Sequence, residues 1–293
     1  MTKTPPKLSK QALALAGEKA VAARRERAAL KAALAAGEIN IFDVINDGRE
    51  SIQRMRVREL LDAAPGIGER RAFTIMEKTG ISQGRRIAGL GIHQLRKLRE
   101  EMILNKVPVH QGALLVMSGP GGVGKSTITA HLRSHPAILV SVSATTREPR
   151  DNEVDGLDYH FITDEKFDQL ISRNEFLEWA EFAGARYGTL RKSVEDGRSL
   201  GKHVLLEIEI AGARQIRRAE PEAVLIFIAP PSWEELVERL TSRGTDTPER
   251  RAARLALAQE EMACSSEFDE VIVNHRVEEV AARLLSLASS RSK

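Results

Sequence analysis

Eight consecutive residues, Gly119-Pro120-Gly121-Gly122-Val123-Gly124-Lys125-Ser126, match G-x-x-x-x-G-K-[ST], with the apolar run Ala113 to Met117 before them and a helical pattern after. A strand that enters a glycine loop and opens a helix is the arrangement a phosphate cradle needs. Glycines let backbone N–H groups turn inward around phosphate oxygens, and the helix N-terminus adds a favourable dipole. In such a loop Lys125 sits against the β and γ phosphates, with the Ser126 hydroxyl on magnesium. Without that context the same residues would make only a glycine-rich turn. The segment implies a bound nucleoside triphosphate and leaves the phosphoryl acceptor open.

The acceptor has to be sought elsewhere. Arg147 and Arg150 flank Pro149, and Asp158-Tyr159 follow shortly after. Two arginines around a helix-blocking proline suit a clamp for a second phosphate, with Tyr159 adding a hydroxyl donor; a solvated basic loop is the other reading. In Phe176-Leu177-Glu178-Trp179-Ala180-Glu181-Phe182, strand alternation puts Glu178 on one face with Phe176, Ala180 and Phe182. A carboxylate on an apolar face is costly unless something donates hydrogen bonds to it. Guanine offers N1–H and an amino group on one edge, where adenine presents an acceptor. An interior ion pair with an arginine would satisfy Glu178 equally.

Glu207 and Glu209 end an apolar run from His203, where a parallel sheet presents its ligand site, and carboxylates there suit magnesium directly or through water. Of the seven histidines, His131 and His135 stand four apart. Leu132 takes the place of the glutamate of an H-E-x-x-H site and Pro136 ends the helix there, so no metal pair is expected.

Two kinds of chain position these residues. After Asn105-Lys106-Val107-Pro108, Val-, Ile- and Leu-rich runs alternate with helical patterns, as in βαβ units around a parallel sheet. Strands are predicted at 114–118, 138–141, 203–209, 224–228 and 271–273. Before residue 105 the chain reads as all-helical: one long basic helix from Lys10 to about Ala36 stopped by Gly37, a short amphipathic stretch Ile39 to Ile45, then Ile52 to Leu61, Arg70 to Lys78 and Ile92 to Met102. The division is therefore 1–105, a linker at 106–111, and 112–293.

The 293 residues, 42% apolar and 29% charged, suit a globular protein of two domains. No apolar run approaches the roughly 18 residues of a membrane-spanning helix. Cys264 is the single cysteine, so an internal disulfide is excluded and a reducing cytoplasm fits. No secretory or transit signal is read at the start, where Glu18, Glu26 and Glu38 interrupt the Ala- and Arg-rich stretch. The net charge of +3 hides an asymmetry: residues 1–110 carry 21 Lys+Arg against 12 Asp+Glu, and the remainder 23 against 29. Nucleic acid is a candidate partner for the first part alone.

From about Gly112 to Leu287 the chain resembles guanylate kinase. The resemblance extends from the phosphate loop through Ser141-Val142-Ser143-Ala144-Thr145-Thr146-Arg147, Glu153-Val154-Asp155-Gly156-Leu157-Asp158-Tyr159, Glu175-Phe176-Leu177-Glu178-Trp179-Ala180 and Arg243-Gly244-Thr245. It implies an α/β P-loop kinase domain with a parallel sheet, a GMP-binding subdomain and a helical lid. It implies ATP held by Gly119 to Thr127 and Asn274, with Asn274 against adenine and magnesium at Ser126, helped by Glu207. It implies GMP phosphate held by Arg147, Arg150, Tyr159 and Tyr187, and guanine read by Ser143, Glu178 and Thr189, with Glu209 also at the GMP site. Arg243 and Arg254 would belong to a lid that closes on the ATP phosphates, with Arg239 nearby. By charge alone, Trp233 to Glu261 is a solvated helical hairpin. Glu209 stands where the family has aspartate, Ala211 where it has glutamine, Gly121 replaces a loop serine and His275 an aspartate. The GMP phosphate is mostly dianionic at neutral pH, so attack on the γ-phosphorus needs no general base. Lys125, Arg147, Arg150, Arg243 and Arg254 would carry the charge as transfer proceeds.

In the helical part, Leu60-Leu61-Asp62-Ala63-Ala64-Pro65-Gly66-Ile67-Gly68-Glu69-Arg70-Arg71-Ala72 has the form of a helix-hairpin-helix element. Gly66 and Gly68 would allow a tight hairpin whose N–H groups, with the next helix N-terminus, bind a DNA phosphate without reading bases. Together with Arg24-Arg25-Glu26-Arg27, Ile75-Met76-Glu77-Lys78, Gly80-Ile81 and Arg85-Arg86-Ile87-Ala88-Gly89-Leu90-Gly91, residues 10–104 resemble actinobacterial integration host factor. This implies an all-α helix-two-turns-helix domain that binds duplex DNA with little sequence preference, with Gly66, Gly68, Arg70, Arg85 and Arg86 as contacts. Ala88 stands where the pattern has another arginine.

Two functions therefore compete, beside a third reading in which the helical part only packs against the kinase or drives oligomerisation and its charge is a solvated surface. One is an ATP-dependent GMP kinase carrying a DNA-binding module. The other is a nucleoid-associated DNA-binding protein whose kinase-like domain senses nucleotide without turnover. The sequence does not specify an oligomeric state.

Overall fold

Alanine and long basic side chains favour helix, and Lys10–Ala36 forms a single one, α1, which ends where Gly37 turns left-handed at φ +75°. The computed structural model describes residues 10–107, 109–241 and 248–291. After α1 come α2 (Ile41–Ile45), α3 (Glu50–Gln53), α4 (Val57–Ala63), α5 (Glu69–Thr79) and α6 (Ile92–Leu104). Asn40 fixes the start of α2, two residues after the predicted Ile39. Its side chain accepts from Phe42 N at 2.7 Å and Asp43 N at 3.2 Å, and Asn40 N in turn donates to the Asp43 carboxylate at 2.9 Å. Phe42, Ile52, Met55, Leu60, Leu61, Ile75, Met76 and Leu98 fill one core.

The single helix predicted over Ile52 to Leu61 is instead two, α3 and α4. Ile87 N donates to Met55 O at 3.0 Å and Val57 N to Arg85 O at 2.9 Å, so a short antiparallel bridge at Arg56–Arg86 takes the groups a continuous helix would use.

A second compact unit begins at Gln111, the first ending at His110, and Val107 is buried in the helical core. Its elements are β1 (Leu114–Ser118), α7 (Lys125–Leu132), β2 (Ile138–Val140), β3 (Ala144–Thr145), β4 (His160–Phe161), α8 (Asp164–Ser172), β5 (Phe176–Phe182), β6 (Ala185–Leu190), α9 (Arg191–Ser199), β7 (His203–Glu207), α10 (Ile210–Ala219), β8 (Val224–Ala229), α11 (Trp233–Thr241), α12 (Pro248–Ala263), β9 (Glu270–Val273) and α13 (Val277–Arg291). The order β2-β7-β1-β8-β9 makes a parallel sheet. Both its faces are covered, Leu115 and Met117 packing with α7 and α13 while Leu114 and Val116 pack with α9 and α10. That is why its central strands read as unbroken apolar runs.

β4-β3-β6-β5 form a second sheet, antiparallel except between β3 and β4. The strand predicted to reach Glu209 stops at Glu207: its last ladder bond is Ile208 N to Met117 O at 3.2 Å, and Glu209 then takes the N-cap position of α10, without a side-chain cap bond. Among the described residues no helix is long and apolar enough to cross a membrane.

Candidate functional site

The phosphate loop joins β1 to α7 at the C-terminal edge of the parallel sheet, where such folds bind ligands. Two glycines are demanded by space as well as conformation. At Gly119, φ +142°, a Cβ would stand 2.3 Å from Ile228 O, and at Gly124, φ +101°, 2.6 Å from Asn274 Nδ2. Gly121 has nothing within 4 Å of where a Cβ would stand, so the position has room for the serine that the resemblance expects. Lys125 opens α7 and folds its ammonium back onto the carbonyls of Gly119 and Pro120. Thr127 N donates to Gly124 O at 3.1 Å.

Glu207, at the tip of β7, receives two hydroxyl donors from α7: Ser126 Oγ at 3.0 Å and Thr129 Oγ1 at 2.9 Å. Thr129 escaped the sequence reading because it lies outside the motif, one turn further along α7. A single strand running through Glu209 would put Glu207 and Glu209 on one face. Once β7 ends at Glu207 they part: Glu207 faces the α7 hydroxyls, while Glu209 faces Glu261.

Glu261, on the last turn of α12, was also missed. It is 9% exposed and accepts from Gly121 N at 3.4 Å. Burial, then the neighbouring Glu209 carboxylate, push it up to about 7, with the Lys125 ammonium acting the other way. Nothing local in a charged helical hairpin distinguishes this glutamate from its neighbours. Asn274 lies beneath the loop, 5% exposed, and its amide donates to Val123 O at 2.8 Å while its backbone N–H bonds Ala229 O. Arg254 is half-buried on α12, Arg239 pairs with Glu235 on α11 at 3.1 Å, and Arg243 lies outside the described residues.

The second group of residues gathers on the smaller sheet. Arg147 grips both Glu153 oxygens at 2.8 and 2.9 Å and stacks 5.5 Å from the Tyr159 ring and 5.7 Å from Phe161. Partial burial works against its charge, but bonds to Glu153 and Tyr187 outweigh it and hold the guanidinium above its ordinary value. Arg150 is exposed, and its N–H donates to Glu153 at 2.8 Å. Tyr159 and Tyr187 meet edge to face at 5.8 Å. Burial, then the negative charge of Glu207, push the Tyr159 phenol up. The Tyr159 hydroxyl therefore feels the charge of the acid that holds the α7 hydroxyls.

Glu178 is 5% exposed. Its Oε1 accepts from Thr189 N at 3.1 Å and Thr189 Oγ1 at 2.6 Å, and burial pushes its carboxyl up against the pull of those bonds. Among the described residues it has no ion-pair partner, so the arginine alternative falls away. Simple alternation along β5 also fails: the pairing with β6 slips between Phe176 and Glu178, and Phe182 is exposed. Thr189 is fully buried, and Ser143 is half-buried just before β3.

In the helical unit, Gly66 adopts φ +74° at the hairpin between α4 and α5, and Arg71 donates to its carbonyl at 2.7 Å. Gly68 begins α5 with no side-chain cap, leaving first-turn N–H groups to other acceptors. Arg70, Arg85, Arg86 and Ala88 are exposed. Arg86 donates to Arg54 O, and Arg85 O holds Val57 N at the start of α4. The predicted contacts thus flank the two ends of α4, about 10 Å apart at 1.5 Å per residue.

A protein-family model described as guanylate kinase matches residues 111–290, and one described as an S13-like H2TH domain matches residues 34–102. The guanylate kinase of Leifsonia xyli subsp. xyli is 44% identical over 242 residues, 81% of this chain and 95% of that one. A crystal structure of guanylate kinase from Anaplasma phagocytophilum is 36% identical, covers 63% of this chain and 88% of that one, and superposes with a TM-score of 0.51. A structure described as sIHF bound to an 8-bp palindromic DNA is 45% identical over 29% of this chain and 97% of that one, with a TM-score of 0.28.

Proposed function

The chain belongs to the guanylate kinase family, and from that premise we propose how its residues divide the work of phosphoryl transfer. It is an ATP-dependent nucleoside monophosphate kinase that converts ATP and GMP to ADP and GDP.

In this proposal the amides of Gly119 to Thr127 and the Lys125 ammonium hold the β and γ phosphates. Asn274, which the resemblance sets against adenine, also acts on the donor through the loop, by holding Val123 O. Ser126, oriented by Glu207, presents a hydroxyl and a carboxylate side by side, an all-oxygen donor set that fits magnesium with its remaining positions on water and phosphate. Bound there, Mg2+ would supply charge neutralisation at the β and γ oxygens. Arg147, Arg150, Tyr159 and Tyr187 hold the GMP phosphate; Ser143, Glu178 and Thr189 read guanine, with Glu209 beside them. A GMP phosphate oxygen bonds to the γ-phosphorus as the bond to the β–γ bridging oxygen breaks, and that oxygen leaves on ADP. Lys125, Arg147, Arg150 and Arg254, with Arg243 outside the described residues, balance the charge in transit. Alignment and charge neutralisation supply the rate, since the acceptor is already a dianion.

The observation that carries the acceptor assignment is the Glu178 carboxylate, buried with one oxygen on Thr189 and, among the described residues, no ion-pair partner. Such a group needs donors, and guanine brings them. The test is ADP release from ATP with GMP or AMP as acceptor. GMP should sustain turnover far above a Lys125→Ala control and AMP should not; equal rates with both would overturn the assignment.

For the helical unit, proposed to span residues 1–105 ahead of a kinase domain at 112–293, we infer duplex DNA binding through phosphates. Its support is the positive charge of residues 1–110, the uncapped α5 N-terminus at the Gly66–Gly68 hairpin and the exposed arginines. Duplex affinity of the full chain at two salt concentrations tests it, and a weak, salt-insensitive signal would count against it. A reducing cytoplasm as the place of action belongs to the same proposal.

A further inference from the structure

Helix α10 carries a glycine, Gly212, in its first turn. Glycine is a poor helix former, and Gly212 is not among the residues of positive φ, so conformational freedom does not call for it. Space does. A Cβ at this position would stand 2.4 Å from Glu178 Oε2, 3.1 Å from Glu178 Cδ and 3.2 Å from Ile208 Cδ1. The place of a side chain on α10 is taken by the carboxylate of β5.

A flexible glutamate would ordinarily swing aside from one added methyl, but this one is held at its other oxygen. Oε1 takes both the N–H and the hydroxyl of Thr189, itself fully buried, so turning Oε2 away breaks those bonds. Nor can α10 retreat. One turn beyond Gly212, Gln215 clasps the main chain of Trp179, accepting from its N–H at 3.2 Å and donating to its carbonyl at 2.7 Å. That clasp fixes α10 against β5 at the residue next to Glu178. Gly212 and Gln215 are three apart and so lie on one helix face. The strand behind is tight as well: a Cβ on Gly188 of β6 would meet the Phe176 ring at 2.7 Å.

We infer that Gly212 is a positioning residue for guanine recognition: its missing side chain lets the Glu178 carboxylate lie against the first turn of α10, in the one orientation that keeps Thr189 on Oε1 and leaves Oε2 for the base. The positive end of the helix dipole at that turn favours the same placement. The inference rests on Glu178 being the guanine reader, and it adds a specificity element on a helix that none of the predicted base contacts occupies.

The experiment compares Gly212→Ala with Glu178→Gln in the full chain, measuring steady-state kinetics for ATP, GMP and inosine monophosphate, which lacks the amino donor. Gly212→Ala is expected to raise the KM for GMP at least tenfold, leave the KM for ATP within twofold, and narrow the preference for GMP over inosine monophosphate. In a double-mutant cycle, Glu178→Asp, whose shorter side chain withdraws from the new methyl, should cost less in the Gly212→Ala background than in the wild type. Values for GMP and for the preference within twofold of wild type, while Glu178→Gln loses GMP selectivity, would overturn the role of Gly212 and leave the reading of Glu178 intact. No effect of Glu178→Gln would overturn both. Should Gly212→Ala fail to fold, Glu178→Ala in the same chain removes the clash. Recovery of the melting temperature of Glu178→Ala alone supports the inference, and no recovery defeats it.

Discussion

Glu207 Oε1 lies 3.0 Å from the Ser126 hydroxyl, so the acid at the tip of β7 sets the direction of the hydroxyl that ends the phosphate loop. Its other oxygen is tied to Thr129, which leaves the carboxylate little freedom to turn. Glu207→Ala should therefore raise the Mg2+ concentration that gives half-maximal rate by about 10- to 100-fold, the usual cost of losing an orienting partner. Initial rates across a magnesium titration measure this. An unchanged midpoint would mean that Glu207 does not orient the metal's ligand.

Asn274 binds Val123 O from below the loop. Asn274→Ala leaves that carbonyl without its side-chain donor, which should cost about 1–3 kcal/mol in denaturant unfolding. The same variant should raise the KM for ATP and leave the KM for GMP near wild type, because the loop serves only the donor. A parallel rise in both would place Asn274 outside this role.

Glu261 predicts a pH effect. Its folded-state carboxyl is pushed up to about 7 by burial and by Glu209, well above the range of an unfolded carboxyl. Between that range and pH 7 the folded chain binds the extra proton, so this group's contribution to stability declines as pH rises through the window. Glu261→Gln removes the titration. Its melting temperature relative to wild type should therefore rise from pH 5 to pH 8, read by thermal melts without nucleotide or metal. A difference that stays constant over that interval would contradict the account.

The DNA proposal makes a graded prediction. If Arg70 and Arg85 each meet a phosphate, replacing either by alanine should lower the slope of log affinity against log salt by about 0.9, whatever duplex sequence is used. Binding of the full chain to two unrelated duplexes at several salt concentrations gives the slopes. Unchanged slopes would remove these arginines from the contact set.

What could be read from the sequence was what local chemistry specifies. The phosphate loop was legible because its glycines, lysine and serine are contiguous and their spacing is the mechanism. The parallel strands were legible because burial on both faces forces unbroken apolar runs. Glu178 stood out as a carboxylate among apolar neighbours, although the alternation used to place it breaks at the slip between Phe176 and Glu178.

What escaped notice depends on residues far apart in the chain. The break between α3 and α4 exists because residues 85–87 pair with residues 55–57, which no window around Met55 contains. Glu261 matters because the fold sets α12 beside Gly121, 140 positions away, and Gly212 because β5 brings Glu178 against α10. The strand end at Glu207 was missed for a subtler reason. Glu209 fits a strand pattern of period two, yet it sits at the N-cap of α10, whose first turn takes the chain out of the sheet just after the last ladder bond, Ile208 N to Met117 O.

The most direct test of the whole account follows the phosphorus itself. Full-length protein is given ATP labelled at the γ position, unlabelled GMP and Mg2+, and the products are separated. The label should appear in GDP, in step with ADP formed, and should disappear from GDP in the Lys125→Ala chain. Label recovered only in ATP, or released only as inorganic phosphate, would contradict the claim that this cleft passes a phosphoryl group from one nucleotide to the other.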